Sequence, residues 1–309
     1  MNVFLFPGQG SQETGMASDL FKGDAPFREL VGRASDRTGC DLERICLRGP
    51  DRELTRTRNL QPLLVCVSLG YLRRLLESGV RPERILGHSL GEISALAAAG
   101  IVSFEAAVDI AAKRGELMEA AAAGAPGGMA AVTSVERDTV PRLLAREFTG
   151  APIVLANDNA PNQIVVSGEN GALEQFASVI AAQKLGQCRR LAVAGPWHSP
   201  FMARARREFS IWLDTIEFRA SQAPLIFNVT AAPESDAREI RQLIARNLVE
   251  PVRWRTAMAS LRGAEKLSLF EVGPGRVLSG LARANGFGRE TRICNVNNQS
   301  GIEMAARLN

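Results

Sequence analysis

A serine flanked by glycines in Gly87-His88-Ser89-Leu90-Gly91 strongly restricts how this chain can fold. This pattern is typical of a nucleophile elbow, a sharp turn from strand to helix that holds the serine in a strained backbone conformation. The short apolar segment before the pattern suits a strand, and the alanine-rich segment after it favours a helix. The sequence therefore predicts a strand, a turn and a helix in the order that the elbow requires.

The chain contains two histidines, and both lie in segments suited to serine acyl chemistry. Histidine is the side chain whose ordinary pKa suits proton transfer near neutral pH. His88 is adjacent to Ser89, and we expect its side chain to point away from the nucleophile and to pack beneath the turn. His198 can approach from across a cleft. If the chain is a serine enzyme, we therefore predict Ser89 as the nucleophile and His198 as the general base.

Strands and helices alternate along the chain, which predicts a largely parallel α/β sheet. The stretch Gly124-Ala125-Pro126-Gly127-Gly128 interrupts this alternation, and the segment after it has the order βαββαβ of a ferredoxin-like unit. We predict a large domain formed by residues 1–124 and 197–309, with a small ferredoxin-like subdomain inserted at 125–196. His198 would lie at their junction, and clefts between domains commonly bind substrates.

Apolar patterning gives the expected elements of both parts. In the large domain, strands are predicted at 3–6, 85–88, 225–229, 267–272 and 291–296, with helices at 60–75, 91–99, 104–121, from 200 onward, 237–247 and 275–284. In the insert, strands are predicted at 129–132, 153–156, 163–167 and 189–193, with helices at 135–147 and 172–183.

Composition and charge exclude several classes of function. With 46% hydrophobic and 23% charged residues, the chain has an ordinary globular composition and can bury a full core. The net charge of +4 comes from arginines spread along the chain, without the basic run and interleaved aromatics typical of nucleic-acid binding. A mildly basic surface would suit an acidic protein partner.

The cysteines and the apolar segments indicate the cellular location. The five cysteines form an odd set without a Cys-x-x-Cys pair, so neither a disulfide framework nor a zinc site is indicated. The N-terminal residues lack the basic region of a signal peptide, and the longest apolar region falls short of a membrane span. We expect a cytoplasmic protein without a metal site or membrane contact.

A second glycine-containing loop, Phe6-Pro7-Gly8-Gln9-Gly10-Ser11-Gln12, directly follows the first predicted strand. Its backbone N–H groups can face an anion at the carboxyl end of the sheet. The loop is not a Walker loop, because Gly-Lys-Ser/Thr does not follow, and Glu13 occupies the third glycine position of a dinucleotide fingerprint. From these residues alone, the loop fits a plain tight turn as well as an oxyanion donor.

Together, the motifs resemble those of the malonyl-CoA:acyl carrier protein transacylase family, the stand-alone relatives of polyketide-synthase acyltransferase domains. The resemblance implies a large α/β-hydrolase-like domain with an inserted small ferredoxin-like subdomain, in agreement with the order of elements. It covers nearly the whole chain, through Phe6-Pro7-Gly8-Gln9-Gly10-Ser11-Gln12, Asn59-Leu60-Gln61-Pro62, Gly87-His88-Ser89-Leu90-Gly91-Glu92, Lys113-Arg114-Gly115, His198-Ser199-Pro200, Pro251-Val252-Arg253-Trp254 and Glu271-Val272-Gly273-Pro274-Gly275.

The resemblance also implies a set of catalytic roles. It places the nucleophile at Ser89, the general base at His198, and the carbonyl that orients this base at Asn247. The backbone amides of Gln9 and Leu90 match the family's oxyanion hole. The implied reaction is a ping-pong transfer through a malonyl ester, and it requires no metal, nucleotide or redox cofactor.

Three further positions are implied to bind the acyl group. Arg114 matches the guanidinium that pairs with the malonyl carboxylate, although without the resemblance it would be interpreted as a solvated helix charge. Gln61 matches a pocket residue. Trp197 departs from the family, whose fatty-acid members commonly carry Ser before the catalytic His and whose malonyl-selective polyketide domains commonly carry Phe. Its bulk should oppose methylmalonyl groups.

The implied substrates are malonyl-CoA and the phosphopantetheine thiol of an acyl carrier protein. The sequence leaves open fatty-acid synthesis, a trans-acting role in polyketide synthesis, and a malonate-pathway transacylase. Two other classes of function are alternatives: a serine hydrolase that acts as an esterase or thioesterase, and a non-catalytic subunit that binds a carrier protein. The presence of Ser89, His198 and Arg114 argues against the non-catalytic subunit.

Overall fold

The computed structural model describes residues 1–136 and 138–309. The chain begins with a strand, a series of helices, a second strand and two more helices. These elements are β1 (Asn2–Phe6), α1 (Ser18–Gly23), α2 (Ala25–Thr38), α3 (Leu42–Arg48), α4 (Asp51–Leu54), α5 (Thr57–Glu77), β2 (Arg84–Gly87), α6 (Gly91–Ala98) and α7 (Phe104–Ala123).

The next segment has the strand and helix order βαββαβ, as predicted. Its elements are β3 (Gly127–Thr133), α8 (Thr139–Glu147), β4 (Ile153–Ala160), β5 (Gln163–Glu169), α9 (Asn170–Ala182) and β6 (Gln187–Arg190). All of them lie within the predicted insert at 125–196, whose domain boundaries stay a prediction.

The chain then returns through a short 3₁₀ helix, Pro200–Met202, to a second series of alternating elements. These are α10 (Ala203–Leu213), β7 (Leu225–Ile226), α11 (Ala237–Arg246), α12 (Trp254–Ala259), β8 (Ser268–Val272), α13 (Val277–Ala284), β9 (Arg292–Val296) and α14 (Gln299–Leu308).

Two sheets result from these strands in the described part of the chain. Five parallel strands form the first sheet in the order β7-β2-β1-β8-β9, and four antiparallel strands form the second in the order β4-β5-β3-β6. The fold is therefore mixed α/β, with a large parallel sheet and a smaller ferredoxin-like unit, as predicted.

The central strand β1 shows why the parallel sheet is stable. Its residues Val3 to Phe6 are fully buried, and they alternate between two cores. Phe4 and Phe6 belong to one core, whereas Val3 and Leu5 belong to the other. A strand covered on both faces has a continuous apolar sequence, which explains why this strand could be predicted.

Local signals define the ends of the helices near the site. Ser103 precedes α7, and its hydroxyl accepts a hydrogen bond from the N–H of Ala106 at 3.1 Å. The helix α2 ends at Thr38, and the next residue, Gly39, has a φ of 68° in the left-handed region. Among the described residues, none of the helices has both the length and the apolar character that a membrane crossing requires.

The strand β4 connects the small sheet to two segments beside the large one, before α12 and after α13. The N–H of Val252 donates to the carbonyl of Ala156 at 2.9 Å, and the N–H of Asp158 donates to the carbonyl of Val252 at 2.9 Å. The amide of Asn285 donates to the backbone carbonyl of Asn159 at 2.8 Å. These bonds hold the small sheet over the carboxyl end of the large one, where the cleft forms.

Several predicted bounds are wrong. The strand predicted at 225–229 ends at Ile226, because the next residues turn: the N–H of Phe227 donates to the carbonyl of Ala232 at 3.1 Å. The strand predicted at 189–193 is found at Gln187–Arg190. The helix predicted at 135–147 is found at Thr139–Glu147, and its predicted residue 137 lies outside the described residues.

Candidate active site

The elbow around Ser89 is a turn between β2 and α6. Ser89 has a φ of 52°, in the left-handed region that non-glycine residues rarely adopt. A Cβ atom added to Gly87 would lie 2.2 Å from the carbonyl carbon of Gly91, and one added to Gly91 would lie 2.0 Å from the carbonyl oxygen of Phe6. The two glycines are therefore required by close contacts, and the turn fixes the direction of the Ser89 side chain.

Ser89, His198 and Asn247 form a chain of two hydrogen bonds. The Oγ of Ser89 lies 2.7 Å from Nε2 of His198, and Nδ1 of His198 lies 2.6 Å from the backbone oxygen of Asn247. Because a carbonyl oxygen can only accept, Nδ1 carries the proton and Nε2 has a free lone pair. This tautomer can remove the hydroxyl proton of Ser89.

His198 is held in position by its own backbone as well. Its φ is 56°, again in the left-handed region, and His198 is only 4% exposed. Burial, together with the positive charge of Arg114, lowers the pKa of His198 to about 3. The imidazole is therefore neutral near pH 7, as a general base must be.

The other histidine, His88, lies beneath the turn. Its Nε2 is 2.8 Å from the side-chain oxygen of Asn159, and its ring packs edge-on against Trp254 with ring centroids 5.2 Å apart. Burial lowers the pKa of His88, so this ring is also neutral. These contacts agree with the predicted packing role. The ring of His88 contacts Asn159 and Trp254 and not the nucleophile.

Arg114 projects from α7 to the nucleophile and is 2% exposed. Its Nη2 lies 3.1 Å from the side-chain oxygen of Asn247 and 3.4 Å from Oγ of Ser89. Within the described residues, its Nη1 has no hydrogen-bond partner. Burial lowers the pKa of Arg114 to about 10, which leaves the guanidinium charged at neutral pH. A buried cation with an unused donor is suited to a carboxylate ligand.

Gln61 and Trp197, the two further residues predicted to bind the acyl group, are both buried. The Nε2 of Gln61 donates to the side-chain oxygen of Gln9 at 3.2 Å and to the sulfur of Met118 at 3.4 Å. Trp197 is 4% exposed and lines the cleft immediately before His198. In the described part of the chain, Oε1 of Gln61 and Nε1 of Trp197 have no hydrogen-bond partner. Both are therefore buried polar atoms whose hydrogen-bonding capacity the described residues do not use.

The two predicted oxyanion donors lie on loops that touch each other. A Cβ atom added to Gly8 would lie 2.5 Å from the carbonyl oxygen of His88, so the Gln9 loop packs directly on the elbow. The backbone amides of Gln9 and Leu90 donate to no other described residue. Both amides remain available to an oxyanion at the nucleophile.

Sequence reasoning missed two residues that connect this site. The side-chain oxygen of Asn228 accepts from the N–H of Ser89 at 2.7 Å, and its amide donates to the carbonyl of Gly87 at 2.7 Å. Glu92 accepts from the backbone N–H of Asn228 and, at 2.7 Å, from the amide of Asn247. Glu92 belongs to the elbow motif, but Asn228 lies in no recognised motif and could be found only from the structure.

A cleft of about 170 Å³ opens above Ser89. Its walls are formed by the elbow, by β3, β4 and β5 of the small sheet, and by α13, whose Val277 and Leu278 face it. Asn157, Asn159 and Gln163 contribute polar groups from the small sheet. A substrate in this cleft would contact both parts of the fold, with its reacting end at Ser89.

Comparison with known proteins agrees with this geometry. The sequence profile of the family described as "Acyl transferase domain" matches residues 3–285. The chain therefore belongs to the acyl transferase family.

Several relatives are similar over nearly their whole length. The malonyl CoA-acyl carrier protein transacylase of Bacillus subtilis is 34% identical over 98% of this chain and 95% of that protein. A polyketide-biosynthesis malonyl CoA-acyl carrier protein transacylase of the same organism is 37% identical, and the match covers 91% of this chain and 96% of that protein. One solved structure is a malonyl-transacylase in complex with its type II polyketide-synthase acyl-carrier protein. It superposes on this chain with a TM-score of 0.92 and 33% sequence identity, and the match covers 100% of this chain and 99% of that chain.

Proposed function

We propose that this chain transfers a malonyl group from malonyl-CoA to the phosphopantetheine thiol of an acyl carrier protein. One observation carries the proposal: the Oγ of Ser89 lies 2.7 Å from Nε2 of His198 and 3.4 Å from Nη2 of Arg114. The atom that would be acylated is therefore next to a base on one side and to a buried cation on the other. The similarity to malonyl CoA-acyl carrier protein transacylases supports the same reaction.

In the first half-reaction, the Oγ of Ser89 attacks the thioester carbonyl carbon while its proton passes to Nε2 of His198. The amides of Gln9 and Leu90 stabilise the oxyanion of the tetrahedral intermediate. The carbon–sulfur bond then breaks, and the imidazolium returns its proton to the departing CoA thiolate. A malonyl ester remains on Ser89.

The second half-reaction follows the same path in reverse. The thiol of the carrier protein enters the cleft, gives its proton to Nε2 of His198 and attacks the ester carbonyl. The ester bond to Ser89 breaks, and the serine recovers its proton from His198. The backbone carbonyl of Asn247, 2.6 Å from Nδ1, stabilises the imidazolium in both halves.

Arg114 and Trp197 would select the acyl group. A guanidinium binds a carboxylate through two parallel hydrogen bonds, and Arg114 offers the unused Nη1 beside Nη2. The indole of Trp197 lines the cleft above Ser89, where its bulk would oppose a branched α-carbon. Malonyl is the acyl group that meets both conditions.

The chemistry of the cysteines fits a reducing compartment. Cys40, Cys46, Cys66, Cys188 and Cys294 all carry free thiols. This observation supports the cytoplasmic location, which is part of the proposal.

Intact mass spectrometry tests the proposed reaction. Brief exposure to malonyl-CoA should add one malonyl group to the wild-type protein and none to Ser89→Ala. His198→Ala should form the adduct more slowly, by about two to four orders of magnitude, because it has lost the general base. Holo carrier protein should then remove the adduct and gain its mass.

Two results would contradict this function. An adduct that persists in Ser89→Ala would show that another residue is the nucleophile. If water removed the adduct as fast as holo carrier protein did, the chain would be a hydrolase.

A further inference from the structure

A buried carboxylate, Glu92, connects the side chains around the nucleophile. It is the second residue of α6 and is 1% exposed. One of its oxygens accepts from the backbone N–H of Asn228, and the other accepts from Nδ2 of Asn247 at 2.7 Å. The opposite end of the Asn247 amide, Oδ1, accepts from Nη2 of Arg114 at 3.1 Å. Glu92 is thus connected to Arg114 through a single amide group.

The direction of these hydrogen bonds follows from the chemistry of Glu92. Burial raises the pKa of Glu92 to about 8, whereas the Asn228 N–H, Arg114 and the Asn247 amide favour the ionised form. Both of its oxygens accept a hydrogen bond, one from a backbone N–H and the other from the Asn247 amide, which therefore presents its NH₂ group to Glu92. Its oxygen then faces Arg114, which can only donate. An amide turned by 180° would place donors opposite the guanidinium and an oxygen opposite the carboxylate. Glu92 therefore fixes which end of the amide faces the guanidinium, together with the side-chain oxygen of Asn228, which accepts from the same Nδ2 at 3.4 Å.

We propose that Glu92 is a positioning residue for acyl selectivity, because it orients the Asn247 amide and thereby holds Arg114 where a dicarboxylic acyl group needs it. The inference rests on the proposed function of Arg114. It extends that function by one residue that touches neither the acyl group nor the reacting atoms.

A selectivity role and a purely structural role differ in the substrates that they affect. Asn228, the other partner of Glu92, holds the elbow through the N–H of Ser89 and the carbonyl of Gly87. Damage to that connection would slow every acyl substrate equally, because all of them use Ser89. Damage to the Arg114 connection would slow only substrates that carry a carboxylate. The ratio of kcat/KM for malonyl-CoA over acetyl-CoA separates the two roles.

The substitution Glu92→Gln tests the proposal with little change in volume. The backbone N–H of Asn228 cannot turn, so the new carbonyl must accept from it, and the new NH₂ group must face Asn247. Two NH₂ groups would then oppose each other unless the Asn247 amide turns and presents donors to Arg114. We expect the malonyl-to-acetyl ratio to fall by about tenfold or more, the size typical of a lost hydrogen bond to a charged group.

A second variant tests the connection between the Asn247 amide and Arg114. Asn247→Ala removes the amide but keeps the backbone carbonyl that His198 uses, and it should lower the ratio by a similar factor. Adding Glu92→Gln to Asn247→Ala should cause no further fall in the ratio, because the group between Glu92 and Arg114 is already absent. If Glu92→Gln fails to fold, Glu92→Asp is measured in its place; its shorter side chain withdraws the carboxyl group from the Asn247 amide and should lower the ratio in the same direction.

Glu271→Gln provides a matched control. Glu271 is also a fully buried carboxylate, and it accepts from the backbone N–H groups of Leu278 and Ser279 and from the amide of Asn295, all within 2.9 Å. Because this cluster does not include Arg114, the substitution should leave the ratio unchanged, whatever it does to stability.

Arg114→Ala is the reference for the whole comparison. An unchanged ratio in Arg114→Ala would overturn the proposed role of Arg114 and, with it, that of Glu92. A ratio that falls in Arg114→Ala but stays at the wild-type value in Glu92→Gln would overturn only the inference about Glu92, whatever the ratio in Asn247→Ala.

Discussion

Arg114 has two effects at the site, both due to its positive charge. Under the proposed function it offers donors to an acyl carboxylate, and it also lowers the pKa of His198, in addition to the larger effect of burial. A malonyl carboxylate bound to Arg114 would neutralise that charge. The pKa of His198 should therefore be lowest in the free enzyme and higher once malonyl is bound.

This coupling predicts a difference between two pH profiles. The acid limb of kcat/KM reports the free enzyme, and that of kcat reports the substrate complex. Because the pKa of His198 is lowered to about 3 in the free site, kcat/KM for malonyl-CoA should stay flat as the pH falls from 7 to 5. The acid limb of kcat should begin at a higher pH.

Rapid-quench measurement of acylation over this pH range tests the prediction. Acetyl-CoA is the control, because it leaves the charge of Arg114 in place and should give coincident limbs for kcat and kcat/KM. A limb near the ordinary histidine pKa of about 6.5 in kcat/KM for malonyl-CoA would contradict the described environment of His198.

At the scale of secondary-structure elements, the site depends on contact between the Gln9 loop and the elbow. Gly8→Ala should disturb this contact, because the added methyl group would lie 2.5 Å from the carbonyl oxygen of His88. The loop must move, and the amide of Gln9 moves with it. We expect kcat to fall by about 10² to 10³ for malonyl and acetyl groups alike, the usual effect of losing one oxyanion donor.

Gly32→Ala is the matched control for this substitution. Gly32 lies inside α2, where an added Cβ atom would meet nothing within 4 Å. It should leave kcat unchanged and raise the free energy of unfolding by roughly 0.5 to 1 kcal/mol. A Gly8→Ala enzyme with wild-type kcat would show that the Gln9 amide is not an oxyanion donor.

Elements with strong local signals were predictable from the sequence. The buried strand β1 has a continuous apolar run, and the β2 to α6 turn has its two glycines. The helices α1, α3, α4, α12 and α14, of 4 to 10 residues, were missed because periodicity needs a longer window. The helix α2 was also missed, although its 14 residues are long enough for such a window. The early end of β7 depends on a turn that tertiary hydrogen bonds stabilise, and no local pattern indicates it.

The candidate site was predictable only in part, for a similar reason. Ser89 and His198 lie in recognisable motifs, and the resemblance to a family placed Asn247 and Arg114. Glu92 and Asn228 are 136 residues apart in sequence, and their contact depends on how β7 and α6 pack. A connection of this kind can be found only once the fold is known.

For the whole molecule, charge near the cleft opening should guide the carrier protein. Arg189 and Arg190 are exposed at the end of β6, directly before Leu191, which lines the cleft and is 36% exposed. Replacing both arginines by glutamate should raise the KM for an acidic carrier protein, by roughly two- to fivefold for each charge. The KM should also rise with salt, since the Debye length is only about 8 Å at physiological ionic strength.

Steady-state kinetics over a salt series, with carrier protein as the varied substrate, measures this effect. Arg307→Glu is the control, because Arg307 is an exposed arginine on α14 and should leave the KM unchanged. A KM for carrier protein that is independent of salt, and equal in all these variants, would argue against electrostatic docking.

The small sheet interrupts the chain between α7 and the segment that carries His198. Ser89, Arg114, His198 and Asn247 all lie outside 127–190, the stretch that forms this sheet. That stretch supplies Asn157, Asn159 and Gln163 to the outer cleft, where the arm that carries the acyl group would lie. We expect that a recombination event that exchanged only residues 127–190 with those of a relative would alter which carrier is accepted. The reacting atoms and the choice of acyl group would stay the same.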